Sequence, residues 1–252
     1  MSPRTIRRRS AINGRGHRLS KETLSKSYDE EQMVDPSPLD IDELDGVYPA
    51  RQARSRVAQE RLLEAGNAVF ANKGYDDAHV TEIASAAGYS IGTFYARFRD
   101  KDALFAALQY RFTRRGRAKI EKFFDLKRWD DASLADVIDA YIEGTARVMT
   151  RHSGFFRALY QRSLVGDESV HWPELRAVTR FAGLKIAELV RRKAPEADRP
   201  QLDTLCVFCL RTVEGMLVHR MLHWKIDEEF EQDYILKSLT LMITSTLNLR
   251  SV

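Results

Sequence analysis

Apolar residues recur at three- and four-residue intervals along most of the chain after residue 50. This spacing places them on one side of an α-helix. The first run ends at Gly74, a residue suited to the left-handed position just past a helix end. Further runs with helical spacing cover 133–151, 154–164, 172–193, 202–224 and 229–249. With no strand pattern in the sequence, we predict an all-α fold.

Two short helices are predicted after Gly74. Thr81 would be the N-cap of the first, which ends at Gly88, and Ser90 would be the N-cap of the second. Only residues 88–90 separate them, and the small residues at this corner let the two helices cross closely. The geometry predicts a helix-turn-helix whose second helix can enter the major groove of DNA. A plain three-helix packing unit is the alternative that spacing leaves open.

The second short helix has two chemically distinct sides. Phe94 and Phe98, four residues apart, predict the buried side. Gly92 would let the backbone approach a partner closely. The opposite side carries hydroxyl, methyl and guanidinium groups that can meet phosphates and base edges; it is formed by Ile91, Thr93, Tyr95, Ala96 and Arg97.

This segment resembles the DNA-binding motif of the tetracycline-repressor (TetR) family of bacterial transcription regulators. The resemblance covers roughly residues 54–108 and, beyond them, helical character and length only. The matching pattern is Thr81-x-Ile83-Ala84-x-x-Ala87-Gly88-x-Ser90-x-Gly92-Thr93-Phe94-Tyr95-x-x-Phe98-x-x-Lys101-x-x-Leu104, after a helix that ends Phe70-x-x-x-Gly74-Tyr75.

The resemblance implies a three-helix DNA-binding head, a larger C-terminal ligand-binding and dimerisation domain, and repression relieved by a small molecule. Ile91 and Arg97 stand where family members often have other residues, so the operator sequence cannot be carried over. Phosphate contacts would fall on Thr81, Ser90, Thr93, Tyr95 and Lys101, and groove-facing positions on Ile91, Gly92, Ala96 and Arg97.

The first fifty residues differ in charge from the rest. Residues 1–21 contain seven Lys or Arg and no acid, whereas residues 29–45 contain eight Asp or Glu. With few large apolar residues, residues 1–50 are predicted to be a disordered, charge-segregated tail. A nucleic-acid-binding arm and an organellar transit peptide are alternatives, and the resemblance to a prokaryotic family disfavours the second. The head is then predicted at 51–100 and the body at 101–252.

Composition narrows the class of protein further. Lys and Arg number 40 against 36 Asp and Glu, and a net charge of +4 does not by itself identify a partner. Two cysteines cannot supply a disulfide framework and indicate a reducing compartment. No apolar run reaches the ~18 residues of a membrane span. We therefore expect a cytoplasmic, nucleoid-associated protein without a membrane partner.

The body carries two patterns that bear on partners. The helix after Asp100 turns basic between Arg111 and Lys119, which is either a solvated face or a distant phosphate contact. The last helix is apolar on two sides, which predicts that the two terminal helices, 202–224 and 229–249, form a four-helix homodimer interface with their copies; burial within a monomer is the alternative. A pocket for a small, largely apolar effector of unknown identity is hypothesised at Phe156, Tyr160, Phe181 and His219.

Candidates for catalysis or metal binding are weak. Cys206 and Cys209 form a C-x-x-C inside an apolar helical run with no second pair, so buried core cysteines are favoured over a metal or redox site. His219 and His223 lack the glutamate of a metalloprotease motif. We predict no enzyme and no cofactor. The sequence favours a repressor released from a partly palindromic operator; a helical protein-interaction adaptor without DNA binding is the alternative, and a ligand-binding enzyme is less favoured.

Overall fold

The computed structural model describes residues 41–165, 168–223 and 231–249. Within these ranges the only strand-like pairing is an isolated bridge between Val47 and Phe98, so the all-α prediction is confirmed. Two 3₁₀ turns lie at Leu126–Trp129 and Pro195–Ala197. The helices are α1 (Ala53–Lys73), α2 (Val80–Ala86), α3 (Ile91–Tyr95), α4 (Lys101–Phe123), α5 (Leu134–Arg151), α6 (Ser153–Val165), α7 (Glu168–Lys193), α8 (Leu202–His223) and α9 (Gln232–Thr246).

The head is formed by α1, α2 and α3, and the start of α4 closes its core. Gly74 ends α1 with φ 81°, and its N–H donates to the carbonyl of Phe70, as the sequence predicts. The start of α2 differs from the prediction by two residues. His79 occupies the N-cap position, and Thr81 lies inside the first turn instead of capping it. The fully buried side chains that join these helices include Leu62, Phe70, Ile83, Phe94, Phe98 and Leu104.

Residues 41–50 lie on the head, although the sequence assigns them to a disordered tail. Ile41 and Val47 are buried, and the Tyr48 N–H donates to the carbonyl of Arg97 at 2.8 Å. The Arg99 N–H donates to the carbonyl of Gly46 at 2.8 Å. The buried side chains of this segment are apolar residues that recur at every third position among the acids. The acidic composition alone does not indicate that they are buried. Residues 1–40 of the predicted tail lie outside the described part of the chain.

The head contacts the body mainly through α1 and α6. Gly154 of α6 lies so close to Ala71 of α1 that a Cβ at Gly154 would be 2.1 Å from the Ala71 Cα. Beside this contact the Tyr75 hydroxyl donates to the Asp102 carboxylate, which also pairs with Arg162 of α6. Burial first, and then this hydrogen bond, raises the pKa of Tyr75. The junction is therefore both closely packed and polar.

The body is a bundle of α4–α9. Its helices approach closely at Gly183 of α7, where a Cβ would lie 2.8 Å from the Val207 Cα of α8. The C-terminal α9 packs on α5, where the Thr240 hydroxyl donates to Asp139 at 2.9 Å. None of the helices in the described ranges is both long and apolar enough to cross a membrane.

Candidate nucleic-acid interface

The turn between α2 and α3 is fixed by backbone and side-chain hydrogen bonds. Gly88 adopts φ 75°, which favours glycine, and the Tyr89 N–H returns to the carbonyl of Ala84 at 2.9 Å. The Ser90 hydroxyl then accepts from the Thr93 N–H at 3.2 Å. This cap, predicted from sequence, sets where α3 begins and so which of its residues face outward.

One side of α3 is buried and the other is open to solvent. Phe94 and Phe98 are 0% exposed and fix α3 in the head core. Ile91 is 43% exposed and Tyr95 is 51% exposed. Gly92 and Ala96 are also exposed, and Thr93 and Arg97 are half-buried. The predicted contact residues of α3 thus share one outward surface, and Thr81 is exposed on α2.

Arg97 is held by hydrogen bonds to residues 41–50. Its Nη1 donates to the carbonyl of Pro49 at 3.2 Å, and its own carbonyl accepts from Tyr48. This support was not predicted from the sequence, because the charges of residues 41–50 indicate a disordered tail. The signal that could have found it is the three-residue spacing of Ile41, Leu44 and Val47.

Lys101 is placed differently from the predicted phosphate contact. Its ammonium donates to the carbonyls of Tyr75 at 2.8 Å, Asp76 at 3.3 Å and Ala78 at 3.0 Å. It also lies 4.3 Å from the centre of the Tyr75 ring. An ammonium has three donors, and here all three go to the loop between α1 and α2. We therefore assign Lys101 to holding this loop, which positions α2 and α3.

Replacing Lys101 with Ala should lower the free energy of unfolding by about 1–3 kcal/mol, because partly buried carbonyls lose their donor. Urea denaturation followed by circular dichroism measures the change. Lys73→Ala is the matched control, since Lys73 makes an exposed ion pair with Glu82 and should cost less than about 1 kcal/mol. Equal, small losses in the two variants would contradict the role of Lys101.

The body contains a partly open cavity of about 100 Å³ between α4, α5, α6, α7 and α8. Phe156, a predicted pocket residue, lines it. Glu214 also lines it, and its carboxylate accepts from the Thr179 hydroxyl at 2.9 Å. Burial raises the pKa of Glu214, and burial together with the Glu214 charge raises the pKa of Tyr160. The cavity therefore combines apolar walls with one carboxyl group.

The other predicted pocket residues lie elsewhere. His219 is exposed on α8, which corrects its assignment to the pocket. Phe181 is half-buried under the Arg117 guanidinium, which lies 4.5 Å from its ring centre. Because α8 is apolar around most of its circumference, the sequence does not reveal which of its faces points inward.

The cysteines are free and buried, as the sequence analysis favours. Burial raises the pKa of Cys206 to about 12, which keeps it a thiol at physiological pH. Across the residues described, no group of three or more His, Cys, Asp or Glu side chains could hold a metal ion. The side chain of His223 lies outside the described residues.

Comparisons with known proteins agree with the architecture of the head. Residues 62–108 match the family model described as bacterial regulatory proteins, tetR family. The HTH-type transcriptional repressor DhaR of Mycobacterium sp. (strain GP1) is 31% identical over 138 residues, which are 54% of this chain and 62% of DhaR. The HTH-type transcriptional repressor Rv1474c of Mycobacterium tuberculosis is 42% identical over 57 residues, 23% of this chain and 30% of that repressor. The chain thus matches less than two thirds of the length of these relatives.

The fold also matches a solved structure along most of the chain. A crystal structure of a tetR-family transcriptional regulator from Streptomyces coelicolor superposes with a TM-score of 0.56 at 17% identity, covering 76% of this chain and 81% of that chain. At this identity the likeness concerns the fold. The matched relatives are named as regulators, in line with the expectation that the chain is not an enzyme.

Proposed function

We propose that the chain, whose residues 62–108 match the model of the TetR family of bacterial regulatory proteins, is a repressor of that family that binds a partly palindromic DNA operator as a homodimer. A small effector with an apolar part then binds the body and releases the DNA. The proposed site of action is the nucleoid, in the cytoplasm. The observation that carries the proposal is α3, whose outer face exposes Ile91 and Tyr95 while buried phenylalanines fix its orientation.

The proposed DNA contacts follow from the chemistry of that face. Hydroxyl groups are suited to phosphate oxygens, and methyl and guanidinium groups to base edges. Thr81, Ser90, Thr93 and Tyr95 are proposed for phosphates, and Ile91, Gly92, Ala96 and Arg97 for the groove. For the effector, Phe156 in the cavity wall and Tyr160 near Glu214 remain our candidates.

Dimerisation is proposed through α8 and α9. Phe208 and Leu222 on α8, and Tyr234 and Leu241 on α9, are large apolar side chains that are 42–67% exposed. Gly215 lies exposed on α8, where an added Cβ would meet nothing within 4 Å. Exposed apolar side chains beside a glycine are typical of a surface on which a second helix pair packs closely.

The function is tested by selecting bound duplexes from a random pool and titrating the best one at several salt concentrations. We expect an inverted repeat bound at about 10⁻⁸ M or tighter, with affinity that falls steeply as salt rises. Weak, sequence-independent binding by ligand-free protein would contradict the proposal and favour the protein-interaction adaptor.

Replacing Gly92 with Ala tests whether α3 faces the DNA. Within the protein the added Cβ would be 3.7 Å from the Ser90 hydroxyl, an ordinary contact, so the free energy of unfolding should not fall. Operator affinity should fall about tenfold or more if the DNA backbone approaches Gly92, since one disturbed contact costs ~1–3 kcal/mol. Gly116→Ala in α4 is the control, with unchanged affinity. Unchanged affinity in Gly92→Ala would place this part of α3 away from the DNA.

A further inference from the structure

Segment 41–50 crosses the chain just after α3 and is fixed there by burial and by backbone pairing. Its buried side chains are those of Ile41, Val47 and Ala50. Val47 forms an antiparallel bridge with Phe98, which is itself fully buried in the head core. Apolar burial and backbone hydrogen bonds therefore hold the segment against the residues that follow α3.

The Asp42 carboxylate joins this segment to α1. One of its oxygens accepts from the Ala50 N–H at 3.2 Å, and the other accepts from the Gln59 side-chain amide at 3.3 Å. Gln59 lies on α1 and is only 4% exposed, so its amide depends on a protein partner. Asp42 thus ties the two ends of the segment to each other and to the head.

Gly46 is the point at which the segment lies closest to α4. It adopts φ 76°, in the region that favours glycine, and an added Cβ would be 2.8 Å from the Cβ of Ala103. The carbonyl of Gly46 accepts from the Arg99 N–H at 2.8 Å. A side chain at position 46 would therefore disturb both the close contact and the pairing with residues 97–99.

The same segment holds the backbone and the side chain of Arg97. The carbonyl of Arg97 accepts from the Tyr48 N–H at 2.8 Å, and its Nη1 donates to the carbonyl of Pro49 at 3.2 Å. A guanidinium has five N–H donors, and the bond to Pro49 uses one of them. The direction of a long side chain is thus set in advance, which reduces the conformational entropy that it loses on binding a partner.

We propose that segment 41–50 is a positioning element of the DNA-binding surface, which presents the Arg97 guanidinium to a pair of neighbouring acceptors on the operator. O6 and N7 of a guanine form such a pair, and so do two oxygens of one phosphate. The DNA contact rests on the proposed function. The inference extends that function, because recognition then depends on residues that precede the helix-turn-helix in the chain.

A double-mutant cycle of operator affinity, measured by fluorescence anisotropy, tests the positioning. Arg97→Ala should lower affinity about 5- to 150-fold. Gly46→Ala should lower it about 2- to 12-fold, the range for one long side chain that must be ordered on binding. The protein with both changes should bind as Arg97→Ala does, because the segment acts through the guanidinium. Losses that multiply would overturn the proposal, as would unchanged affinity in Gly46→Ala.

Asp42→Ala releases the segment at a second point and carries the same test if Gly46→Ala does not fold. Asp45→Ala is its matched control. It removes an equal charge from the same segment, but breaks only the exposed ion pair with Arg99 at 2.8 Å. Because both variants lose one negative charge, their comparison cancels the effect of that charge on DNA phosphates. Equal affinities in the two variants would overturn the role of the segment.

Base-pair substitutions in the operator identify the acceptor. If Arg97 contacts a guanine, Arg97→Ala should lose discrimination at one position of each half-site. If it contacts a phosphate, affinity should fall for all sequences, and the salt slope should fall by about one. Gly46→Ala should weaken the same property as Arg97→Ala does. A change of preference at a different base pair would overturn the proposal.

Hydrogen exchange of the full chain without DNA separates this proposal from the proposed function. The amides of Tyr48 and Arg99 should exchange slowly in the unmodified protein and faster in Gly46→Ala, because both are bonded between the segment and residues 97–99. Fast exchange in the unmodified protein would overturn the positioning and leave the proposed function standing. Slow exchange in a protein for which no operator is found would overturn the proposed function, and with it the DNA contact of Arg97.

Discussion

Replacing both Phe208 and Leu241 with Glu should convert the proposed dimer to a monomer. The two side chains are 63% and 67% exposed in a single chain, so the substitutions leave the core of each subunit intact. In the proposed dimer the same side chains meet a second copy of the surface, and twofold symmetry introduces each new carboxylate twice. Size-exclusion chromatography with light scattering measures the mass, and circular dichroism checks that the helices remain.

The expected loss is large because two effects add. Each buried Leu or Phe side chain contributes about 1.5–3 kcal/mol, and this contribution disappears from both subunits. Carboxylates buried without partners then cost several kcal/mol more. Operator affinity should fall by about 100-fold or more, since a monomer reads one half-site and loses the gain from joining two.

Val57→Glu is the control for this experiment. Val57 is 51% exposed on α1 of the head, outside the proposed dimer surface. The Val57→Glu substitution introduces the same charge at a similarly exposed apolar position. It should leave the mass of the proposed dimer unchanged. A double variant that remains dimeric at micromolar concentration would exclude α8 and α9 as the dimer surface and leave the exposed apolar residues of these helices unexplained.

The parts of the fold that sequence predicted correctly are those set by local interactions. Gly74 and Gly88 adopt positive φ as helix ends, and Ser90 caps α3. Each depends on contacts between residues that are close in sequence, so the local sequence pattern is enough to predict it. The buried side of α3 was predictable for the same reason, because Phe94 and Phe98 are spaced by one helical turn.

The parts that sequence missed depend on contacts between distant segments. The packing of residues 41–50 rests on pairing with residues 97–99. The spacing of the apolar residues in this segment indicates burial, but not the segment with which it pairs. The sequence pattern suggests a phosphate contact for Lys101. In the structure its ammonium instead donates to three carbonyls of a loop that lies 23–26 residues earlier in the chain.

Gly154→Val should separate the head from the body. A Cβ at Gly154 would lie 2.1 Å from the Ala71 Cα and 2.5 Å from its carbonyl oxygen, both backbone atoms that cannot rotate away. The helices α1 and α6 must therefore move apart, and overpacking of this kind costs about 1–3 kcal/mol or more. Urea denaturation followed by circular dichroism should show a lower midpoint.

A shift of α6 also breaks contacts that only the close approach permits. The Gln161 side chain accepts from the Tyr75 N–H at 3.3 Å, and Arg162 pairs with Asp102, so both head–body links would lengthen. We expect Gly154→Val to lower operator affinity as well as stability, because the two heads of a dimer read half-sites only at a fixed spacing. Gly116→Ala is the control, since its Cβ would be 3.8 Å from the nearest atom and alanine favours the helix by ~1 kcal/mol. If Gly154→Val were as stable as the unmodified protein, the close contact of α1 with α6 would not hold in solution, and neither would the coupling between effector and DNA that depends on it.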